Sequence, residues 1–319
     1  MAKRSVSILL PAYNEASGIK HFLDQELSPT LKDLPYNFNL IIVNDGSTDD
    51  TLAEIKSSSI IKQFQTTIIS FTKNFGKEVS MSAGLKYSGK TAAVIMLDCD
   101  GQHPVSAISK MLAKWENGAK IVTAIDLHKR TKHKLGSKLF YKMMRLTNSP
   151  GIHEGAMDFR LLDRSVVTEF NRFTEHNRIT RGLIDWLGFP QEYIKVSTLK
   201  RTSGTPTYST KKLAALALDS FVSMSTTPLI FFGYVGIFIT LVSLPLGLFI
   251  LIEQYILGDP LGLDWSGAVA MSLLISFLVG LVLISQSITA LYISHIHAEA
   301  KNRPLYVIDH SKSSNLKGA

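Results

Sequence analysis

The sequence predicts an α/β domain built on a mostly parallel sheet, followed by two long apolar helices. Three observations carry this. Short apolar runs of strand length alternate with segments of helical length through the first 200 residues. Polar clusters stand at the carboxyl ends of those runs, and two charge-free stretches follow residue 227. Strands alternating with helices of about 10–15 residues imply a parallel sheet covered on both faces. About 20 apolar residues are what a helix needs to span a bilayer's hydrocarbon core.

Ser5 to Leu10 reads as the first strand and ends in Pro11-Ala12-Tyr13-Asn14-Glu15, with a helix expected from Ala16 to Leu27. The second strand, Leu40 to Val43, runs into Asn44-Asp45-Gly46-Ser47-Thr48-Asp49-Asp50. There Ser47 or Thr48 is expected to cap a helix whose first turn holds the two aspartates. Thr67 to Phe71 is a third strand, followed by Lys73-Asn74-Phe75-Gly76-Lys77 and a helix through Leu85. Ala92 to Leu97 and Ile121 to Ile125 are the fourth and fifth strands, and Gly155 to Leu162 is another, carrying Asp158 and Arg160. Asp163 and Arg164 start a helix, Asn177 to Leu187 forms one, and Tyr193 to Lys200 is a last strand. Every cluster named up to Asp100 falls at a strand's carboxyl end, where open α/β sheets bind ligands.

The fourth strand delivers Asp98-Cys99-Asp100-Gly101-Gln102-His103-Pro104. Side chains alternate along extended chain, so Asp98 and Asp100 leave on the same side and Cys99 on the other. Two carboxylates and the Gln102 amide make an all-oxygen set, suited to Mg²⁺ or Mn²⁺ and not to zinc. The competing reading is a loop whose aspartates cap the helix that Pro104 opens. Cys99 is the only cysteine; it excludes an internal disulfide and reads as a small core residue. His103 reads as a packing or capping residue at a helix start.

The chain has 319 residues and a net charge of +8, which raises nucleic acid, a membrane surface or an anionic substrate as partners. Its basic residues are not interleaved with stacking aromatics, which argues against nucleic acid. No glycine-rich dinucleotide or P-loop fingerprint follows a strand. No export signal is recognisable at the start. From His128 to Arg145 seven lysines and arginines occur with no acidic residue. Interleaved Leu135, Leu139, Phe140, Met143 and Met144 make this run amphipathic, fit either for a solvated face or for anionic lipid.

Leu229 to Ile252 and Gly267 to Ser294 contain no charged residue, and both are expected to span a membrane. Between them lie Glu253, Asp259 and Asp264 and no basic residue, whereas Lys211, Lys212, Lys301 and Arg303 flank the pair. Positive residues stay on the cytoplasmic side, so both termini and the α/β domain are expected in the cytoplasm, held at the cell inner membrane. The expected organisation is a domain over residues 1–210, an amphipathic juxtamembrane helix over 211–227, a transmembrane hairpin over 228–296 and a cytoplasmic tail over 297–319. The polar end from Ser311 to Ala319 is expected to fray.

The motifs at the first four strand ends, together with Asp158-Phe159-Arg160-Leu161-Leu162-Asp163-Arg164, Arg181-Gly182-Leu183-Ile184 and Lys301-Asn302-Arg303-Pro304-Leu305-Tyr306, resemble family-2 glycosyltransferases of the GT-A fold. More narrowly they look like the polyisoprenyl-phosphate hexosyltransferases, the group of dolichol-phosphate mannose synthase and bactoprenol glucosyltransferase. The resemblance implies a nucleotide-sugar donor, the UDP form by family likeness, and a polyisoprenyl phosphate acceptor on the cytoplasmic leaflet. It implies that Pro11, Tyr13, Asn14, Glu15, Asp45, Lys77 and Gln102 hold the donor, that Asp98, Asp100 and Gln102 hold Mg²⁺ or Mn²⁺, and that Arg201 reaches the donor diphosphate. Asp158 joins Asp98, Asp100 and Arg201 as a candidate catalytic residue, with its role open. Arg130, Lys134 and Lys138 are assigned to the acceptor phosphate.

Two departures from the family pattern stand out. Leu127 replaces an arginine near the end of the fifth strand, and Pro206-Thr207-Tyr208 closes the loop after Arg201 where a lysine is usual. The implied reaction is an inverting transfer of a hexose, glucose or N-acetylglucosamine by preference, for cell-surface glycan modification. A GDP-mannose-dependent synthase and a non-catalytic nucleotide-sugar-binding accessory protein are the alternatives. A processive polysaccharide synthase is disfavoured, because its Gln-x-x-Arg-Trp motif is missing. A small flippase partner and a homo-oligomer are further implications of the family.

Overall fold

A computed structural model describes residues 3–126, 156–175, 178–197, 267–301 and 303–316, with isolated positions between 245 and 258. The chain divides into two compact units, residues 1–207 with 303–319, and residues 208–302. The first contains a seven-stranded sheet in the order β3-β2-β1-β4-β6-β5-β7. Its strands are β1 (Ser5–Ala12), β2 (Asn37–Asn44), β3 (Gln65–Ser70), β4 (Ala93–Met96), β5 (Ile121–Asp126), β6 (Ala156–Asp163) and β7 (Gln191–Val196). Strands β1, β2, β3 and β4 are parallel, as are β5 and β7. Only β6 runs the other way, between β4 and β5. The mostly parallel α/β sheet expected from the sequence is therefore present, and its first four strands all point their carboxyl ends to one rim.

Helices cover both faces, which is why the central strands are continuous apolar runs and not alternating ones. One face carries α1 (the consecutive pieces Ile19–His21, Phe22–Leu27 and Ser28–Lys32), α2 (Thr51–Ser57), α3 (Ile60–Gln63) and α5 (Ala107–Glu116). The other carries α4 (Lys77–Lys86), α6 (Arg164–Phe170) and α7 (Thr180–Trp186). The first helix runs past its expected end at Leu27 to Lys32, because Leu31 also reaches the core. Asp163 caps α6 as expected, its carboxylate accepting the Ser165 amide at 3.0 Å. Cys99 is buried and its thiol donates to the Pro11 carbonyl at 3.0 Å, so it is a core residue.

Two charged side chains, one buried and one half-buried, fasten α7 beneath the sheet. Arg160, fully buried on β6, donates to Asp185 of α7 at 2.7 Å. Glu78 of α4 accepts the Thr180 amide at the start of α7 at 2.7 Å, where the helix dipole favours a carboxylate. Burial pushes the Glu78 carboxyl above its ordinary value.

The chain's end departs from expectation. Residues 303–316 return to the edge of the sheet and do not fray. Ile68 and Ser314 exchange backbone hydrogen bonds at 3.1 and 2.9 Å, and the Thr72 amide donates to the Val307 carbonyl at 3.0 Å. Tyr306 stacks on Phe71, ring centroids 5.0 Å apart, and Ile308 and Leu316 pack on the adjoining core. The polar composition that suggested fraying instead supplies partners for the unpaired edge of β3, which would otherwise be a liability.

In the second unit, Gly267–Ala300 forms one helix of 34 residues, α8. Among the residues whose side chains are described, no helix is long and apolar enough to cross a membrane; in α8 many positions are described by backbone alone. The first apolar stretch and the expected juxtamembrane helix over 211–227 lie almost wholly outside the described residues.

Replacing Asp185 by alanine is expected to destabilise the first unit by about 3–5 kcal/mol, the cost of leaving one member of a buried pair uncompensated. A lowered urea midpoint with an unchanged m-value is the expected readout; an unchanged midpoint would show that the Arg160 pair holds nothing together.

Candidate active site

The rim loops after β1 and β2 are welded to each other before they can meet any ligand. Asn14 adopts φ 53°, a left-handed conformation that asparagine tolerates better than most residues. Its side-chain oxygen accepts the Thr48 amide at 2.9 Å, and its own amide donates to the Ser47 hydroxyl at 3.1 Å. The Glu15 amide donates to the Thr51 hydroxyl at 2.8 Å, and the Ala16 amide to Asp49 at 3.2 Å. Ser47 and Thr48 are thus spent on the neighbouring loop and do not cap α2, as the sequence suggested. The N-cap position falls to Asp50, which makes no side-chain cap bond, and Asp49 before it accepts the Thr51 amide at 3.1 Å.

The loop after β2 in turn touches the one after β3. Gly46 has φ +61°, and a Cβ there would lie 2.2 Å from the Lys73 carbonyl carbon, so only glycine permits the approach. Asp45 completes the junction, its two oxygens accepting the Phe75 and Gly76 amides at 2.7 and 2.9 Å. Burial holds its carboxyl above the ordinary value in spite of those bonds. Asn14 and Asp45, expected as donor-binding residues, therefore appear here as braces between loops. Tyr13 is different: its ring is 41% exposed. It lines a cleft of about 650 Å³ with Ser47, Thr48, Lys73 and Asn74.

Beyond β4 the expected alternation holds: Asp98 and Asp100 are partly exposed and Cys99 between them is buried. Asp100 accepts the Gln102 amide at 3.1 Å, which tightens the turn. His103 packs inside this turn, its ring stacked on Phe159 with centroids 5.2 Å apart. Its Nδ1 accepts the Asp98 amide at 3.1 Å, a geometry that assigns the ring proton to Nε2. Burial lowers its pKa, although Asp98 and Asp100 pull the other way. His103 is thus a neutral packing residue, as expected, and it fixes where Asp98 begins.

Lys77, the first residue of α4, is the centre of the site. Its Nζ lies 2.6 Å from Asp98 and 2.9 Å from Asp158. It thereby joins a helix start, a parallel strand's end and the antiparallel strand β6. Burial would lower the Lys77 pKa, but the two carboxylates overcome it and hold the ammonium above its usual value. Burial likewise raises Asp158, yet Lys77, with Arg181 and Arg160 behind it, brings the carboxyl down to about 2.

Among the described residues, no group of three or more His, Cys, Asp or Glu side chains gathers as a metal site. The set Asp98, Asp100 and Gln102 supplies two carboxylates and an amide, all hard oxygen donors. Magnesium-type sites use one or two carboxylates and take their remaining ligands from water and substrate phosphates, so these residues fit such an ion. Arg130, Lys134, Lys138 and Arg201 lie outside the described residues. Pro11, near the end of β1, and Glu15, on the loop after it, are both partly exposed. Sequence reasoning missed that Lys77 bridges two carboxylates, since Asp158 stands 81 residues away from it along the chain. It also missed Lys312, which lines the cleft from the chain's end; no local pattern marks it.

These features define a sheet rim with converging acidic groups, one bridging ammonium and an aromatic-edged cleft. The model of Glycosyl transferase family 2 matches residues 7–171. The SfII prophage-derived bactoprenol glucosyl transferase of Shigella flexneri is 32% identical over 97% of this chain and 99% of that protein. An uncharacterized glycosyltransferase of Synechocystis, sll0501, is 33% identical over 95% of this chain and 94% of its own length. The chain belongs to glycosyl transferase family 2 and is a glycosyltransferase. Among solved structures, the mannosyltransferase of Pyrobaculum calidifontis in complex with GDP-Man and Mn²⁺ aligns at 17% identity, over 64% of this chain and 58% of that one, with a TM-score of 0.45.

Lys77→Met is expected to expose the coupling directly. Asp158 has a folded-state pKa depressed to about 2, below the ordinary unfolded value of about 3.9. Its stabilising contribution is therefore full above about pH 4 and lost as pH falls through about 2. In Lys77→Met the Asp158 pKa rises, so acid-induced loss of stability starts at higher pH, and overall stability above pH 4 falls. Thermal unfolding between pH 2 and 7 measures both; superimposable profiles for variant and wild type would refute the bridge.

Proposed function

We propose that this glycosyltransferase moves a hexose, glucose or N-acetylglucosamine, from a UDP-linked donor to polyisoprenyl phosphate at the cytoplasmic face of a membrane. The observation that carries this reading is the reach of the likeness to the bactoprenol glucosyl transferase of Shigella flexneri. It extends over 97% of this chain and so takes in the apolar segments as well as the α/β unit.

In the reaction, an acceptor phosphate oxygen attacks the anomeric carbon as the bond from that carbon to the donor diphosphate breaks. A single displacement inverts the configuration, giving a β-linked product from an α-linked donor. A phosphate monoester is already ionised near neutrality, so the nucleophile needs little help from a base. Asp158 agrees with that economy: a carboxylate with a pKa of about 2 is a poor proton acceptor at pH 7. Its part is to hold Lys77 in place beside Asp98. Lys77 supplies positive charge next to the acidic rim, where the departing diphosphate would develop its own charge. Asp98, Asp100 and Gln102 would hold Mg²⁺ or Mn²⁺, which when bound neutralises diphosphate oxygens. Arg201 is assigned to the same diphosphate, and Arg130, Lys134 and Lys138 to the acceptor phosphate.

The membrane assignment draws support from the length and composition of the second unit. Gly267 to Ser294 lacks charge, and 34 helical residues extend about 50 Å at 1.5 Å each. A tether of this kind would raise the local concentration of a lipid-borne acceptor. On this reading the protein sits in the cell inner membrane with its α/β unit and both termini in the cytoplasm.

Membranes bearing the protein, incubated with radiolabelled UDP-glucose, UDP-N-acetylglucosamine or GDP-mannose, undecaprenyl phosphate and Mn²⁺, are expected to transfer label to the organic phase from a UDP-sugar. Label from GDP-mannose alone would replace the donor assignment, and no transfer from any donor would refute the function. Asp100→Ala is expected to lower the rate by about 100-fold or more without lowering the thermal unfolding midpoint by more than a few degrees. Full activity in this variant, or in excess chelator, would remove the metal from the scheme.

A further inference from the structure

The segment that returns after α8 does more than close the edge of the sheet. Its backbone is fixed at both ends of a short turn: the Asp309 amide donates to the Ser70 carbonyl at 2.8 Å, and the Ser70 amide donates to the Ser313 hydroxyl at 2.9 Å. Asn315 donates from its side chain to the Thr66 carbonyl at 2.8 Å. The turn between these anchors carries Lys312 into the lining of the 650 Å³ cleft, together with Tyr13, Lys56 and Lys73 and with two carboxylates, Asp49 and Asp50, of which Asp49 is engaged by the Ala16 and Thr51 amides at 3.2 and 3.1 Å. Three lysines from three separate parts of the chain therefore share one cleft with an exposed aromatic ring. Charge of that sign beside a stacking surface suits a nucleoside diphosphate, whose base takes the ring and whose phosphates take the ammonium groups.

We propose that the C-terminal segment forms a wall of the donor cleft and that Lys312 binds the donor's nucleoside diphosphate. The inference rests on the donor reading above and adds a residue outside the span of the family match, which ends at residue 171. Lys312 is available for the role. Its present partner is Asp309 at 3.4 Å, three residues away, and its side chain is 60% exposed. An exposed pair of this kind is weak, so the ammonium can exchange Asp309 for phosphate at little cost. Asp309 is also occupied by the Ser311 amide at 3.1 Å, which keeps the turn shaped when the lysine leaves. Lys73 lies over the Phe75 ring at 5.2 Å, so it too holds its charge near the cleft without a carboxylate in that contact.

The test uses the full chain in detergent with UDP and GDP as probes, titrated calorimetrically in the presence of Mn²⁺. Lys312→Ala is expected to weaken binding of the preferred nucleotide by about tenfold, the loss of one charge-assisted hydrogen bond, and to flatten its dependence on salt. Lys312→Arg is expected to restore most of the affinity, and neither change is expected to move the thermal unfolding midpoint. A second readout is chemical: bound nucleotide should protect Lys312 from acetylation, measured by mass spectrometry. Tight wild-type binding with an unchanged constant in Lys312→Ala and no protection overturns the role of Lys312 and leaves the donor reading standing. Failure of the wild type to bind either nucleotide overturns both.

Discussion

The site depends on one ammonium group placed between two carboxylates. Lys77 contacts Asp98 and Asp158 at 2.6 and 2.9 Å, and those three residues come from α4, the end of β4 and the antiparallel strand β6. Without a cation there, two acidic groups drawn together in a half-buried pocket would repel each other and favour protonation. With it, Asp158 stays ionised down to about pH 2. The bridge also explains why β6 runs against its neighbours at no loss to the site. An antiparallel strand between β4 and β5 brings Asp158 back toward the rim at which β4 ends, from a part of the sequence that parallel order would place elsewhere.

Around this centre the rim is built by loops that bind one another through side chains of their own motifs. Asn14 crosses to Thr48, Thr51 to Glu15 and Asp45 to Phe75 and Gly76. Gly46 lets the second and third loops touch backbone to backbone. These motifs are rich in Asn, Asp, Ser and Thr because each loop must satisfy the others' amides in a setting where water is partly excluded. Residues of a binding motif can therefore act by shaping the cleft and need not touch what it holds. Tyr13, by contrast, keeps its ring exposed, and its neighbours do the bracing.

Much of this was legible in the sequence where the physics is local. The apolar runs of β1, β2 and β4 are buried on both faces and read as strands without ambiguity. Alternation through Asp98, Cys99 and Asp100 fixed which side each would take. The direction of β6 was not legible, since a single strand carries no mark of its partner's polarity. Nor was the Lys77–Asp158 pair, which depends on that direction. The N-cap assigned to Ser47 or Thr48 failed for a related reason. Either residue could cap a helix by intrinsic preference, but Asn14 competes for both, and the tertiary contact wins. The end of the chain failed most plainly: Ser311, Ser313 and Asn315 look like a solvated tail, yet a bare edge strand supplies the backbone partners that make them ordered.

That returning segment also constrains the rest of the chain. The first unit is left at Thr207 and entered again at Arg303, and residues 303–316 are pinned to β3 by backbone hydrogen bonds. The chain before residue 208 and the chain after residue 302 therefore belong to the same compact unit. If that segment is embedded in a bilayer, as proposed, it can cross only an even number of times. Two charge-free stretches separated by a short acidic connection are the smallest arrangement that satisfies this closure. On the proposed reading, a single crossing would carry Ile308 and Ser314 to the wrong side and leave the edge of β3 unpaired.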